Sequence, residues 1–551
     1  MGLWIAENSH TRTATIGGTA LLDDLKATTE VDAVVKEGAS HLKRDKNGLV
    51  LIPQPSDDPR DPLNWPVWKR ELCYINILFA TALVGAIGPL IAPGFVTIAA
   101  EFNVPVNKVA ATNAALVLAI GCVMFFQSAI AIKYGRRPVY LWGAVFLLVG
   151  SIWSAAKPDL NNLLASRIIQ GMGMAPTESI ATATIGDLYF VHQRGMRIAI
   201  WGLSLLGGIN LGPLINGFVI SNPDLGWKYC FWIITPFFAI SLIGMILLLP
   251  ETMYDRPNAL KTDVGHGAKE AAAFEKAEHE LVEKSSEHQM EDVEASPAAH
   301  YLPAKTVWQE MKPWSGYVHK ESLLRIFIRP FPLLLSPAVL WGFLTYGIAS
   351  LLLVLVSAIS SLVFSRTYGF TAKQTGLVSL SPLIASILMS LVAGYIADAL
   401  AKFCARRNGG VFEPEMRLFL MIPYAILVIL GYAGWAVSYR NKSPWIAPVM
   451  CYALINGGQK FLSTASVTYI LDVHREQTSE AQAIINFLKN LISYFIGVKI
   501  NGWVISVGIE NMFYILAGIS AGIALTTIVM YRYGKICRWW VQEHNQLFLI
   551  K

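Results

Sequence analysis

The chain has 551 residues, of which 54% are apolar and only 15% charged, with a formal net charge of +6. Soluble domains carry roughly a quarter charged residues, and here the apolar residues fall in blocks rather than amphipathic stripes, which excludes one large soluble core. The basic residues stand mostly at block ends, so the small positive balance gives no footing for a nucleic-acid partner.

Residues 1–70 are expected to be a largely disordered cytosolic tail. They contain no apolar leader, and Ala6 stands where a myristoylation signal needs Ser or Thr. The tail ends in PQPSDDPRDPLNWPVWKR (53–70), where the prolines forbid a long helix and Trp65, Trp68, Lys69 and Arg70 suit a membrane interface.

A bilayer core of about 30 Å takes about 20 apolar residues as a helix. Six such spans are expected near 72–98, 109–132, 139–156, 160–185, 196–220 and 228–249. Six more follow near 333–363, 374–398, 417–437, 445–470, 483–507 and 511–533. The expectation is an all-α membrane protein with twelve transmembrane helices in two six-helix bundles, 71–250 and 331–535. Residues 251–330, rich in Glu and Lys, read as a cytosolic linker, solvated or serving as a regulatory docking segment, and 536–551 as a cytosolic tail. An even count puts both termini on one side. Lys133, Arg136, Arg137, Arg194, Arg197, Lys402, Arg406, Arg407, Arg417, Arg532, Lys535 and Arg538 mark that side as cytosolic. Asn441-Lys442-Ser443 is a formal glycosylation sequon in a very short outer loop before Pro444, where use is not expected. The cysteines, Cys73, Cys122, Cys230, Cys404, Cys451 and Cys537, have neither metal nor disulfide spacing and read as packing residues.

Ionisable residues inside the spans are the informative ones, because each costs about 2.5–3.5 kcal/mol there and normally faces protein or water. Span four carries Arg167 and Glu178, eleven residues apart. They share a helical face about 16 Å apart, too far to pair directly. The functional reading makes Glu178 a protonatable or substrate-contacting carboxylate and Arg167 a modulator of the proton pathway, and the plain reading makes both residues structural, each bonded to neighbouring helices. Span five carries Gly208, Gly212, Pro213 and Gly217, small residues that permit close helix packing and a proline that bends the helix. Lys460 lies well inside span ten, in NGGQKFLSTAS (456–466). It either snorkels, pairs with an acid, or faces a cavity whose solute is anionic or carbonyl-rich. The halves echo one another: span four ends at Asp187 before Arg194, span ten ends at Asp472, and basic turns follow spans two and eight. Such an internal repeat places a substrate site between the bundles near mid-membrane.

These features carry a resemblance. DPRDPLNWPVWKR (58–70), KYGRRPVYL (133–141), ASRIIQGMG (165–173) and GINLGPLING (208–217) resemble motifs of the major facilitator superfamily, and of its fungal twelve-span drug:proton antiporter branch in particular. LPETMYDR (249–256), GYIADAL (394–400), EPEMRL (413–418) and TYILD (468–472) add fungal character. The resemblance covers about 53–533. It implies a proton-coupling role for Arg167, beside Glu178, and a cavity lined by spans one, four, seven and ten. Candidates for that cavity are Asn113, Asn210, Trp341, Tyr346, Asn456, Gln459 and Lys460. It also implies conformational roles for Gly135, Arg136, Arg137, Asp187, Arg194, Gly208, Gly212, Pro213, Gly217, Asp398 and Asp472. The chain departs from the pattern at Ser128 and Ile132, where the loop motif has Gly and Asp, which weakens an expected cytosolic charge latch. Lys489 before Asn490 replaces an expected Arg and keeps the charge.

The implied activity is proton-coupled efflux of a small organic molecule by alternating access, by a monomer in the plasma membrane, with protons and the lipid bilayer as partners. No cofactor is implied, since the chain has no Walker sequence, no metal-ligand spacing and no strand before the glycines of GMGM (171–174). Two other readings remain: uptake of a cation or polyamine, which would want more cavity acids, and a transporter-like sensor that moves nothing.

Overall fold

The structure is a computed structural model that describes residues 5–6, 20–21, 55–56, 58–254, 309, 311–314, 316, 322–408, 411–474 and 477–544. Most of the expected tail and central linker lies outside these residues. Twelve helices of at least 20 residues dominate the rest. The first six are α1 Val67–Ile87, α2 Val106–Tyr134, α3 Arg137–Ala156, α4 Leu160–Ser179, α5 Val191–Ser221 and α6 Lys228–Leu248. α7 begins at Pro337–Gly342, passes through a π-turn over Phe343–Gly347 and continues as Ile348–Tyr368. The remaining five are α8 Leu380–Arg407, α9 Met421–Arg440, α10 Ile446–Val473, α11 Thr478–Val507 and α12 Ile509–Glu543.

Local chemistry sets the boundaries. Pro105, Pro138 and Pro337 stand at or beside helix starts, where the missing N–H costs nothing. α7 stops at Gly369, whose left-handed φ of +67° lets its N–H close on the Phe364 and Ser365 carbonyls. Thr371 and Gln374 then form a reciprocal capping box for the short helix Ala372–Val378 that leads into α8.

Three expected elements differ. The fourth span breaks: Pro176 lies within α4, and after Ile180 the chain restarts as the short helix Ala181–Leu188. α12 continues to Glu543, through residues expected to be tail, because Arg538 is held in a buried acid cluster. The all-α expectation also meets one small exception: β1 Ala20–Leu21 pairs antiparallel with β2 Val411–Phe412 beside the α8–α9 turn. Ala6 likewise donates to the Arg532 carbonyl of α12 at 2.8 Å, so these described pieces of the tail sit on the second half.

Ten of the membrane-length helical segments are apolar enough to cross a bilayer by composition alone. The two that fall short are α4 and α10, at matching places in the two halves. In the first half α4 packs on α2 and α3, and α5 on α1. In the second, α10 packs on α8 and α9, and α12 on α9. The second core centres on Trp435, stacked on Phe513 at 4.5 Å. Three seams join the halves: α2 with α11, α5 with α8 and the helix before it, and the segment Ala92–Glu101 that follows α1 with α7. The first two run deep. The third closes the face opposite the basic turns, where Ser361 Oγ donates to the Pro93 carbonyl at 3.4 Å.

Candidate transport site

The two charges of α4 meet different surroundings. Arg167 is fully buried in the first bundle. Its Nη1 donates to the Ile87 carbonyl at 2.7 Å, where α1 ends, and to Gln170 Oε1 at 3.2 Å, while the guanidinium lies 5.2 Å from the Phe231 ring centroid of α6. Its Nε and Nη2 have no partner among the described residues. Glu178 is only half-buried, and Lys489, on α11 of the other half, is the charged group whose field acts on it. Neither Glu178 nor Lys489 has an ion pair within 4 Å among the described residues. Beside them Asn490 packs where a Cβ on Gly121 of α2 would approach to 2.8 Å, so the acid and the lysine flank the α2–α11 seam.

On α10 the side chains divide by face. Gln459 Nε2 donates to Ser350 Oγ of α7 at 3.4 Å, and Asn456 Nδ2 turns back to the Tyr452 carbonyl at 3.0 Å. Gly457 abuts Met389 of α8, and Gly458 abuts Val428 of α9. These positions face their own bundle. Lys460, Ser463, Thr464, Val467 and Thr468 form a half-buried face instead. Lys460 has no hydrogen bond or ion pair among the described residues. Of the other candidates, Tyr346 is half-buried in the α7 π-turn. Asn113 keeps a buried, unpartnered Oδ1 on α2, and Asn210 bonds its own helix at Leu206. Trp341 lies in a small separate core of the second half, 5.3 Å from Tyr469 and edge-on to it.

The basic turns hold paired charge clusters. Arg136 Nε meets Asp187 at 2.9 Å at the end of the broken α4, and Arg417 Nε meets Asp472 at 2.6 Å at the end of α10. The two pairs occupy matching places in the halves. Arg137 is buried and donates to the Leu249 and Ile246 carbonyls of α6, and to the Met311 and Lys312 carbonyls of the linker. In the second half the signs are exchanged: Arg538 of α12 reaches Glu413 at 2.7 Å and Glu415 at 2.9 Å, with Lys535 on Glu413 at 2.9 Å. Burial works to raise the Glu413 carboxyl, but Arg538 and Lys535 outweigh it and hold it below the usual carboxylate range. The side chains of Arg194 and Asp398 lie outside the described residues.

The glycine motif of α5 does two jobs with one helix. A Cβ on Gly208 would overlap the Ala82 carbonyl of α1, and one on Gly212 would lie 2.7 Å from the Ala86 carbonyl. Pro213 and Gly217 face the other half: a Cβ on Gly217 would lie 2.7 Å from the Ala372 carbonyl, and one on Gly376 would lie 2.7 Å from the Pro213 carbonyl. Each pair is spaced by four residues, so each is one small-residue stripe.

Sequence reasoning missed two organising acids. Glu251 accepts from the backbone N–H groups of Arg136 at 2.9 Å and Arg137 at 3.1 Å, capping α3. Gly135, at φ +99°, leaves the room its carboxylate needs. Glu71 pairs bidentately with Arg197 at 2.6 and 2.9 Å, tying α1 to α5. The signal for Glu251 was its place in LPETMYDR beside a turn that lacks its own acid. Tyr254 of the same motif meets Asp58 at 3.3 Å, so two motifs far apart in sequence form one contact.

Comparison with known proteins gives a consistent picture. The sequence profile of the Major Facilitator Superfamily matches residues 77–498. An uncharacterised MFS-type transporter of Schizosaccharomyces pombe is 25% identical over 93% of this chain and 91% of its own length. Protein HOL1 of Saccharomyces cerevisiae is 23% identical, covering 92% of each chain. A probable efflux pump of Aspergillus flavus is 24% identical over 82% of this chain and 98% of its own. Among solved structures, a D-xylose-proton symporter aligns with a TM-score of 0.55 over 84% of this chain and 97% of that one. A POT family transporter aligns with a TM-score of 0.57 over 86% and 98%. Both are 14% identical, so the likeness is one of fold.

Proposed function

The chain belongs to the Major Facilitator Superfamily and is a multi-pass membrane transporter, not an enzyme; from that premise we propose that it exports small organic molecules in exchange for protons. One observation carries the reading. Glu178, Lys489 and Lys460 are titratable, half-buried and without an ion pair among the described residues, and they come from helices of both halves. Charges placed at that depth for structure alone are normally paired. The relatives described as efflux pumps support the outward direction.

In this reading Glu178 carries the exchanged proton. Its protonation removes the negative charge that Lys489 feels across the α2–α11 seam, and so changes what holds the two halves together there. Arg167, bonded to the carbonyl that ends α1, passes a shift of α4 to the outer end of α1. The Pro213–Gly376 contact lets α5 and α8 separate without unpacking α5 from α1. The protein acts as a monomer in the plasma membrane, with the basic face and both termini cytosolic.

The test is flux in proteoliposomes of the purified full chain, with a pH-sensitive dye inside and organic anions, neutral drugs and polyamines outside. Solute-dependent proton movement opposite to the solute is expected. Proton movement together with a polyamine would replace export by uptake, and no flux from folded protein would favour a sensor.

A further inference from the structure

The proposed exchange leaves one charge without a task. Lys460 is the fifteenth residue of the 28 in α10. At 1.5 Å per residue it lies about 20 Å from either end of the helix. That is far beyond what its four-carbon stem spans, so the ammonium group cannot snorkel to a membrane surface. No charged group among the described residues acts on it, whereas Glu178 is served by Lys489. The side chains before it are turned into the second bundle, where Gln459 is engaged by Ser350 and Asn456 by Tyr452. Lys460 shares its half-buried face with hydroxyl residues, and Thr468 Oγ1 is already committed to the Thr464 carbonyl at 2.6 Å. Among the described residues, the half-buried and unpaired ionisable groups at this depth therefore sum to one excess positive charge: Glu178 against Lys489 and Lys460.

We propose that the transported solute is an organic monoanion of the carboxylate type, and that Lys460 is the residue that binds its charged group. The inference rests on the transport reading and names its substrate class. A monoanion brings that sum to zero, and a cation adds to an excess that no charge among the described residues offsets there. A neutral solute leaves Lys460 unpaired.

Equilibrium binding to the full chain in detergent separates this from the question of proton exchange, because no gradient is present. The probes are octanoate, 4-phenylbutyrate and 1-naphthoate, each with its methyl ester and its primary-amine counterpart. At least one acid should bind tenfold or more tightly than its ester and amine. Lys460→Gln should abolish that preference, and Lys460→Arg, which keeps the charge, should retain it. The arginine variant and a monodisperse elution profile guard against simple misfolding. Equal binding of acid and ester, tighter binding of an amine, binding of none of the acids, or an undiminished preference in Lys460→Gln would each overturn the proposal. Acid binding in a carrier that moves no protons would instead leave it standing and sink proton coupling.

Discussion

In the proposed exchange a single carboxylate separates coupling from mere transport. Glu178→Gln should remove the pH dependence of flux while the protein still reaches the membrane and binds solute. Wild-type flux against a proton gradient in that variant would exclude Glu178 from coupling. A second residue-scale prediction concerns His474, outside the spans, whose Nε2 lies 2.8 Å from Ser336 Oγ at the start of α7. Burial depresses its pKa to about 4. An unfolded histidine titrates near 6.5, so between those values the unfolded chain binds more protons. The stability that a neutral His474 contributes is complete above about pH 6.5 and is lost as pH falls towards 4. The apparent melting temperature should drop between pH 7 and pH 5, and His474→Gln should shrink that drop. An identical drop in the variant would assign it to other groups.

At the scale of the element, α5 offers a clean comparison. Gly208→Val forces a side chain against the backbone of α1 within one bundle, and overpacking of this kind costs about 1–3 kcal/mol. It should lower the melting temperature. Gly217→Val presses instead on Ala372 and Gly376 across the seam between halves. It should leave the bundles folded, slow transport, and raise labelling of a cysteine placed at Ser361 on the adjoining seam. Equal thermal damage from both variants would show that the two stripes are not separate devices.

For the whole molecule the prediction lies in the repeated charge pairs. Arg417→Asp should impair transport by setting two acids together at the end of α10, and adding Asp472→Arg should restore much of it. No recovery would mean that Arg417 has another task. Glu251→Gln weakens the cap on two backbone N–H groups and should cost about 1–3 kcal/mol, read as a lower melting temperature.

The sequence by itself determined the membrane class, the helix count and the places where charge enters the membrane. These follow from apolar block length and the cost of burying charge, both of which are local. It also held the motifs that identify the superfamily. Only the tertiary structure decided partners. Arg167 and Glu178 look equivalent along a helix, yet one donates to the Ile87 carbonyl and the other lies in the field of Lys489, because α4 packs against the end of α1 and the α2–α11 seam brings a distant helix alongside. Trp341 reads as well as Tyr346 for a cavity wall, and packing put it in a core instead. Glu251 became the centre of a turn more than a hundred residues away in sequence. Contacts of that kind depend on which faces the packed helices present to one another, and no local pattern records them.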